Sequence, residues 1–272
     1  MNITANGINL NVVVEGEGDP VLLLHGFPDS SRLWRSQIPA LVENGYRAIA
    51  PDLRGFGDSD VLPNVDDYSI VNVLGDLNAL ADELEVERMH VVGHDWGAAT
   101  AWGFASIFPD RTRTLTALSV GHPTAFRGAG PDQVMASWYM FLFQFEGVAE
   151  ELLRRNDWEF TRAWTGEAGD FGYYVEDLSR PGRLTAGLNW YRANARPESW
   201  VGEPLELPTI QAPAMGIWST GDFALTERQM IESEKHVRGP WRYERIEGAS
   251  HWIPLDAPEK LTDLLLDFFV KN

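Results

Sequence analysis

The stretch Gly93-His94-Asp95-Trp96-Gly97 decides how the chain reads. An apolar run, Met89-His90-Val91-Val92, leads into it, and a run of small residues, Ala98-Ala99-Thr100-Ala101, leads out. That order predicts a short buried strand, a tight turn and then a helix. The turn follows the nucleophile-elbow pattern G-x-S-x-G, with Asp95 where serine would stand. Glycines on both sides let backbone atoms approach closely and permit strained dihedrals at the central residue. A serine alkoxide suits acyl carbon. A carboxylate is a weaker nucleophile, suited to displacing a leaving group from saturated carbon, and the resulting ester must be cleaved by water. The bland alternative is a glycine-flanked aspartate capping a helix.

Composition narrows the field. The chain has 272 residues, enough to bury a large core without staples. It contains no cysteine, which excludes disulfides, zinc-thiolate sites, iron–sulfur clusters and a cysteine nucleophile. Lysine plus arginine number 22 against 40 aspartates and glutamates, a net charge of −18. Such a balance argues against nucleic acid and against an anionic membrane as partners. It favours solubility and a neutral or cationic small ligand. The opening Met1-Asn2-Ile3-Thr4 lacks a basic region and a long apolar segment, so no signal peptide is expected. No run of about 18 apolar residues is present to span a membrane. A cytoplasmic protein is the expectation. A homodimer is allowed by the sequence and not required by it.

Around the elbow, strand and helix patterns alternate. Strands are predicted over Ile8 to Val14, Val21 to Leu24, Tyr46 to Ala50, from Met89, over Leu115 to Val120, Ala214 to Trp218 and Trp241 to Ile246. Helices are predicted over Leu33 to Glu43, Ile70 to Leu84, from the elbow to Phe108, over Thr226 to Lys235 and from Pro258. The 70–84 helix is the clearest, with Ile70, Val73, Leu74, Leu77, Leu80, Ala81 and Leu84 on one face. Alternation of this kind implies a mostly parallel sheet with helices on both faces. Ligands bind such sheets beyond the carboxyl ends of the strands, where Phe27 and Asp95 both fall. The alternation stops near Gly121. From Arg127 to Leu207 the chain is helix-like and rich in tryptophan, and it reads as an inserted cap. Pro204, Pro208 and Pro213 mark the return, giving a core over 1–126 and 208–272 and a cap over 127–207.

An elbow nucleophile needs a base and an acid that orients it. In folds of this kind the nucleophile comes first, the acid second and the histidine last. Of six histidines, His251 lies in the loop Glu247-Gly248-Ala249-Ser250-His251-Trp252, between the last strand and the last helix. Its order in the chain makes it the base. Asp222 follows the Ala214–Trp218 strand and is the acid; the alternative place one strand earlier, Ser119-Val120-Gly121-His122-Pro123, holds no carboxylate. Asp52 and Asp58 precede the elbow in a turn-rich loop and read as structural. The oxyanion donors are expected to be the backbone N–H groups of Trp96 and Phe27, each worth roughly 3 kcal/mol.

The chain resembles the epoxide hydrolases of the α/β-hydrolase fold, nearly end to end. His25-Gly26-Phe27-Pro28 is similar to the H-G-x-P oxyanion motif of that family, and Gly93-His94-Asp95-Trp96-Gly97 to its elbow. Trp138-Tyr139 with Phe143-Gln144 and Gly147-Val148-Ala149-Glu150 resembles the first tyrosine segment of the family's cap, and Asn189-Trp190-Tyr191-Arg192 the second. The resemblance implies that Asp95 opens the epoxide while Tyr139 and Tyr191 protonate its oxygen, as a phenol protonated at neutral pH can. It implies an ester on Asp95, hydrolysed by water that His251 and Asp222 activate, giving a vicinal diol. The small apolar epoxide and water are then the only partners, with no metal or organic cofactor. A detoxifying role goes with it.

Two other readings compete. A haloalkane or haloacid dehalogenase uses the same aspartate elbow, but Phe27 offers no side-chain N–H as second halide donor. A non-catalytic binding protein on the same fold would not need Asp95, Asp222 and His251 together. The aromatic residues Phe27, Trp96, Trp138, Trp190 and Trp252 are expected to line the substrate cleft, with Trp158, Trp164, Phe141 and Phe143 as further aromatics of the cap.

Overall fold

In the computed structural model, which describes residues 1–202 and 206–272, eight strands form one sheet. They are β1 (Asn2–Ala5), β2 (Ile8–Glu15), β3 (Asp19–Leu24), β4 (Tyr46–Pro51), β5 (Met89–His94), β6 (Thr112–Leu118), β7 (Ala214–Gly221) and β8 (Trp241–Ser250). Their order across the sheet is β1-β2-β4-β3-β5-β6-β7-β8. β1 pairs antiparallel with β2, and β2 antiparallel with β4. From β4 to β8 the described pairings are parallel.

The helices are α1 (Gln37–Glu43), α2 (Ile70–Glu83), α3 (Trp96–Ile107), α4 (Pro123–Gly128), α5 (Pro131–Ala136), α6 (Trp138–Leu142), α7 (Val148–Thr165), α8 (Phe171–Leu178), α9 (Arg183–Asn194), α10 (Glu227–Ile231), α11 (Ile253–Asp256) and α12 (Pro258–Lys271). Successive side chains of a strand point to opposite faces. In β3, Leu22 and Leu24 join a core with Val73, Leu77, Ala98 and Ala101 of α2 and α3. Val21 and Leu23 join the opposite core, with Ile38 and Leu41 of α1 and Leu261, Leu265 and Phe268 of α12. A strand buried on both faces reads as a continuous apolar run for this reason. Each such side chain stabilises the fold by about 1.5–3 kcal/mol relative to exposure.

Three expectations shift. The helix expected over Leu33 to Glu43 divides into a 3-10 turn, Ser31–Trp34, and α1. Pro39 has no N–H to donate, and a start at Gln37 puts it in the first turn, where that N–H would go unpaired anyway. The helix expected over Thr226 to Lys235 likewise breaks after Ile231 into a 3-10 turn, Glu232–His236. There the Ser233 hydroxyl donates to the Gln229 carbonyl and accepts from the His122 N–H, competing with the helical ladder. The strand β1 was not expected. Asn6 and Gly7, with φ of 50° and 81°, form the tight connection that folds it onto β2, a sequence signal that Asn-Gly carries.

Between β6 and β7 the described residues form six α-helices, α4 to α9, and the helical stretch begins at Pro123, ahead of the expected boundary at Arg127. Pro204 lies outside the described residues. α7 is broken at Arg155 to Trp158, where Asn156, Asp157 and Trp158 have positive φ and the chain turns sharply. α9 is tied to the sheet side of the molecule. The Trp190 indole donates to the Arg54 carbonyl, and the Asn194 amide bridges the Tyr68 carbonyl and the Ile70 N–H.

Candidate active site

Parallel strands bring their carboxyl ends to one edge of the sheet, and four of them end in the candidate residues. β3 runs into His25-Gly26-Phe27, β5 into Asp95, β7 into Asp222 and β8 into His251.

Asp95 sits between β5 and α3 with φ 55° and ψ −122°, a conformation that costs about 1–3 kcal/mol for a residue with a side chain. The flanking glycines make it attainable. A Cβ on Gly93 would lie 2.2 Å from the Gly97 carbonyl oxygen, and one on Gly97 would lie 2.1 Å from that of Leu24. Gly26 has the same role across the site, since a Cβ there would meet Asp95 Oδ1 at 2.2 Å. With only hydrogen at that position, the Phe27 N–H donates to Asp95 Oδ1 at 2.8 Å.

His251 Nδ1 is 2.9 Å from Asp222 Oδ2. The other Asp222 oxygen accepts from the Ala224 and Leu225 N–H groups, both at 2.9 Å, which fixes the carboxylate. His251 Nε2 points to Asp95 Oδ2, 3.7 Å away. Burial works against a charged imidazole, but the Asp222 charge and hydrogen bond and the Asp95 carboxylate outweigh it, and the pKa of His251 is pushed up to about 10. Burial also works against the Asp95 carboxylate. His251, as the cationic group facing it, prevails with help from the Trp96 N–H and holds Asp95 below its ordinary value. The resting site is therefore a carboxylate facing an imidazolium.

Tyr139 on α6 and Tyr191 on α9 are buried, with ring centroids 5.9 Å apart and nearly perpendicular. Tyr191 packs edge-on to Trp96 at 5.1 Å and to Phe27 at 5.7 Å. Burial and the nearby Asp95 charge raise both phenols well above 10, so each keeps its proton across the physiological range. α6 and α9 are joined underneath by Arg192. Its guanidinium donates to the Phe143 carbonyl and in a two-point contact to Glu150, at 2.8 and 3.0 Å.

Asp95 opens onto two cavities. The first, about 660 Å³ with open solvent at its mouth included, is walled by Phe27, Tyr139, Trp158, Trp164, Tyr191 and Trp252 among others, and by His251. The second, about 690 Å³ on the same measure, shares Asp95 and Tyr139 and is walled by Trp96, Phe126, Met140 and Trp200. Of the expected lining residues, Phe27, Trp96 and Trp252 face these spaces. Trp138 and Trp190 do not. Trp138 is 41% exposed on the outer side, against Phe160 and Trp164, and Trp190 is fully buried with its indole N–H spent on Arg54. Phe143 packs beneath the two tyrosines, and Phe141 packs on Trp200.

Sequence reasoning passed over three residues beside the site. His94 donates from Nε2 to the His251 carbonyl at 2.9 Å, and the Ser119 hydroxyl donates to the same oxygen at 3.2 Å. Burial lowers the His94 pKa to about 4, so its ring is neutral. Asp29, directly after Pro28, accepts from the Trp252 indole at 2.9 Å and the Tyr174 hydroxyl at 3.2 Å, which ties α8 to the His251 loop. Its position after the H-G-x-P motif was the available signal. Asp52 is structural, as expected, accepting from the Ser31 and Asp58 N–H groups and the Asn11 amide. Among the described residues, no group of three or more His, Asp or Glu is placed to hold a metal ion. No described helix is long and apolar enough to cross a membrane.

Known proteins resemble this architecture throughout. The family described as alpha/beta hydrolase fold matches residues 19–258. The AB hydrolase superfamily protein YfhM of Bacillus subtilis is 35% identical over 99% of this chain and 97% of its own. Epoxide hydrolase A of Mycobacterium tuberculosis is 32% identical over 98% of this chain and 95% of its own. The crystal structure of the Bacillus megaterium epoxide hydrolase in complex with an inhibitor superposes with a TM-score of 0.89 at 27% identity, covering 99% of both chains.

Proposed function

The chain belongs to the epoxide hydrolases of the alpha/beta hydrolase fold, and from that premise we propose how its residues divide the work of converting an epoxide to a vicinal diol. The observation that carries the reading is a charged Asp95 bordering a cavity that two buried, protonated tyrosines share with it.

Asp95 Oδ2 attacks an epoxide carbon in line while Oδ1 stays on the Phe27 N–H. The C–O bond breaks, and Tyr139 and Tyr191 hydrogen-bond the leaving oxygen and supply its proton. Without that proton the leaving group is an alkoxide, which departs poorly. The product of this half is a hydroxyalkyl ester, and the phenolate is reprotonated from water.

Esterification also prepares the second half. The Asp95 charge is one of the factors that raise His251. An ester has no such charge, so the imidazolium becomes more acidic and releases its proton, which neutralises the hydroxide left by reprotonation of the phenolate. Neutral His251, oriented by Asp222, then accepts a proton from water as that water attacks the Asp95 carboxyl carbon. The Phe27 and Trp96 N–H groups hold the oxyanion on Oδ1, the bond from the carboxyl carbon to Oδ2 breaks, the leaving oxygen takes the remaining proton of the attacking water, and the diol departs with the carboxylate restored and His251 protonated again.

The same reading divides the chain into a core, 1–126 and 208–272, that carries Asp95, Asp222 and His251, and a cap, 127–207, that carries the tyrosines. The apolar walls of the first cavity support a small apolar epoxide as substrate. A cytoplasmic, detoxifying enzyme fits that substrate and a chain without cysteine. Phe27 has no N–H on its side chain to hold a halide, and two buried phenols have no task in halide loss, which favours the epoxide over a carbon–halogen bond.

The test is incubation of His251→Gln with an aryl epoxide, followed by intact-mass measurement. The expected result is one equivalent of the added epoxide mass, located on Asp95. Absence of an adduct from an epoxide that the wild type turns over would sink the ester mechanism.

A further inference from the structure

Gln133, on α5, is fully buried, and its side-chain amide uses every hydrogen-bonding position it has. Oε1 accepts from the Thr226 N–H at 2.9 Å and from the Thr226 hydroxyl at 2.8 Å. Nε2 donates to the Ala224 carbonyl at 3.0 Å and to the Ser137 hydroxyl at 2.8 Å. Two acceptor sites and two N–H groups are the whole capacity of a glutamine side chain. The partners also fix which end of the amide is which, because a peptide N–H can only donate and a carbonyl can only accept. Burying an amide is costly unless it is paired, and a methionine would fill the same space without that demand. What the amide adds is position.

The two sides of this amide lead to different parts of the site. The Ala224 carbonyl and the Leu225 N–H belong to one peptide group, which Gln133 holds at the carbonyl and Asp222 Oδ1 at the N–H. Turning that peptide would break both bonds. The next peptide is held likewise, with the Leu225 carbonyl accepting from the Trp218 indole and the Thr226 N–H donating to Gln133. On the other side, Ser137 lies between α5 and α6, just ahead of Trp138 and Tyr139. Its N–H donates to the Gln133 carbonyl at 2.9 Å, and its hydroxyl accepts from the Gln133 amide. One side chain thus stands between the loop that fixes the acid and the helix that presents a proton donor.

We propose that Gln133 is a positioning residue shared by both halves of the reaction. Through the 224–226 backbone it keeps Asp222 aimed at His251, which serves hydrolysis of the ester. Through Ser137 it fixes the start of α6 and with it the Tyr139 hydroxyl, which serves formation of the ester. Gln133 itself lines neither cavity at Asp95. Its donation to the Ala224 carbonyl polarises that peptide and strengthens the Leu225 N–H as a donor to Asp222. Asp222 and Tyr139 come from distant parts of the chain and need such a link, because a misplacement of about 1 Å can cost about 100-fold in rate. The proposal rests on the ester mechanism and adds the residue that holds its two halves in register.

The test is single-turnover kinetics on an aryl epoxide, reading formation and hydrolysis of the ester separately and counting active sites by burst amplitude. Gln133→Met keeps the volume and removes all four bonds. Hydrolysis should slow by about 10- to 100-fold and formation by about 3- to 10-fold, at full burst amplitude. Gln133→Glu keeps an acceptor for Thr226 but, as a carboxylate, has no donor for the Ala224 carbonyl, so it should share the loss in hydrolysis. Ser137→Ala cuts only the arm to α6 and should slow formation more than hydrolysis. A purely structural Gln133 would instead lower the burst amplitude and leave both rate constants alone. That result in Q133M, or both rates within about twofold of wild type, would overturn the proposal. If Q133M does not fold, Ser137→Ala and Thr226→Val decide, since each removes one bond. Formation in the first and hydrolysis in the second should fall by about 3- to 10-fold, and wild-type rates in both would overturn the proposal too. A wild type that forms no ester overturns the mechanism beneath it, a failure seen before any variant is compared.

Discussion

Nε2 of His251 and Oδ2 of Asp95 face each other across 3.7 Å, an ion-pair distance longer than a direct hydrogen bond. Each keeps the other charged, and this has a signature in stability. His251 is raised to about 10 from its ordinary 6.5, so its contribution is fully present below about pH 6.5 and is lost as pH rises through about 10. Asp95 is lowered, so its contribution is present above its ordinary value of 3.8 and is lost as pH falls through the folded value. Urea unfolding should therefore show stability falling between about pH 6.5 and 10, and Asp95→Asn should shallow that fall. Equal slopes for wild type and variant would exclude the coupling.

Asp222 acts through His251. Asp222→Asn keeps the shape of the side chain but permits the wrong imidazole tautomer, and hydrolysis of the ester should slow by about 10³- to 10⁴-fold. Formation of the ester should suffer much less. Rapid-mixing experiments should show a full burst of Trp fluorescence change followed by a slow steady state; a variant without the burst would place Asp222 in the first half of the reaction instead.

The tyrosines should show the opposite pattern. Tyr139→Phe and Tyr191→Phe should each lower the rate of ester formation by about 10- to 100-fold, and the double variant by about 10³-fold or more. Breakdown of an ester already formed should stay within about twofold, because neither phenol meets the attacking water. Single-turnover kinetics separate the two steps.

Asp29 is pushed up to about 7 because burial disfavours its charge more than the Trp252 and Tyr174 hydrogen bonds favour it. A carboxyl raised in the folded state favours folding while protonated, so its effect is most favourable below about pH 4 and turns unfavourable as pH rises to about 7 and beyond. Asp29→Asn retains an acceptor for both partners. At about pH 8 it should be more stable than wild type by about 1–3 kcal/mol, with the difference vanishing near pH 4. Chemical denaturation at the two pH values reads this directly.

Glu150 and Arg192 form a buried two-point ion pair, each about 6% exposed, beneath the two tyrosine helices. Removing one partner strands the other charge, so Glu150→Gln should cost about 3–5 kcal/mol. Replacing both, as Glu150→Met with Arg192→Met, should recover most of that loss. Recovered stability with activity still depressed would show that the pair positions Tyr191 as well as bracing the fold.

What could be read from the sequence was local. The buried strands, the elbow and the order Asp95, Asp222, His251 follow from side-chain periodicity and from turns spanning a few residues. The aromatic cap was harder. Trp138 and Trp164 pack against each other, yet only Trp164 borders the cavity, and Trp138 covers it from outside. Phase of that kind depends on how short helices stack, and α6 is only five residues long. The contacts of Asp29, beyond its place after the H-G-x-P motif, were hidden for another reason. Its partners lie 145 and 223 residues along the chain, so its burial exists only once three segments have met. Glu150 and Arg192 stood inside the two tyrosine motifs, but nothing local pairs them across 42 positions.

The backbone at Asp95, with φ at 55°, has a further consequence. Glycine is the residue that this conformation accommodates best. A chain selected for stability alone would drift toward glycine at position 95, and each step would erase the nucleophile. The most durable sequence for this fold and the working one are therefore different sequences, separated at the very residue on which the chemistry depends.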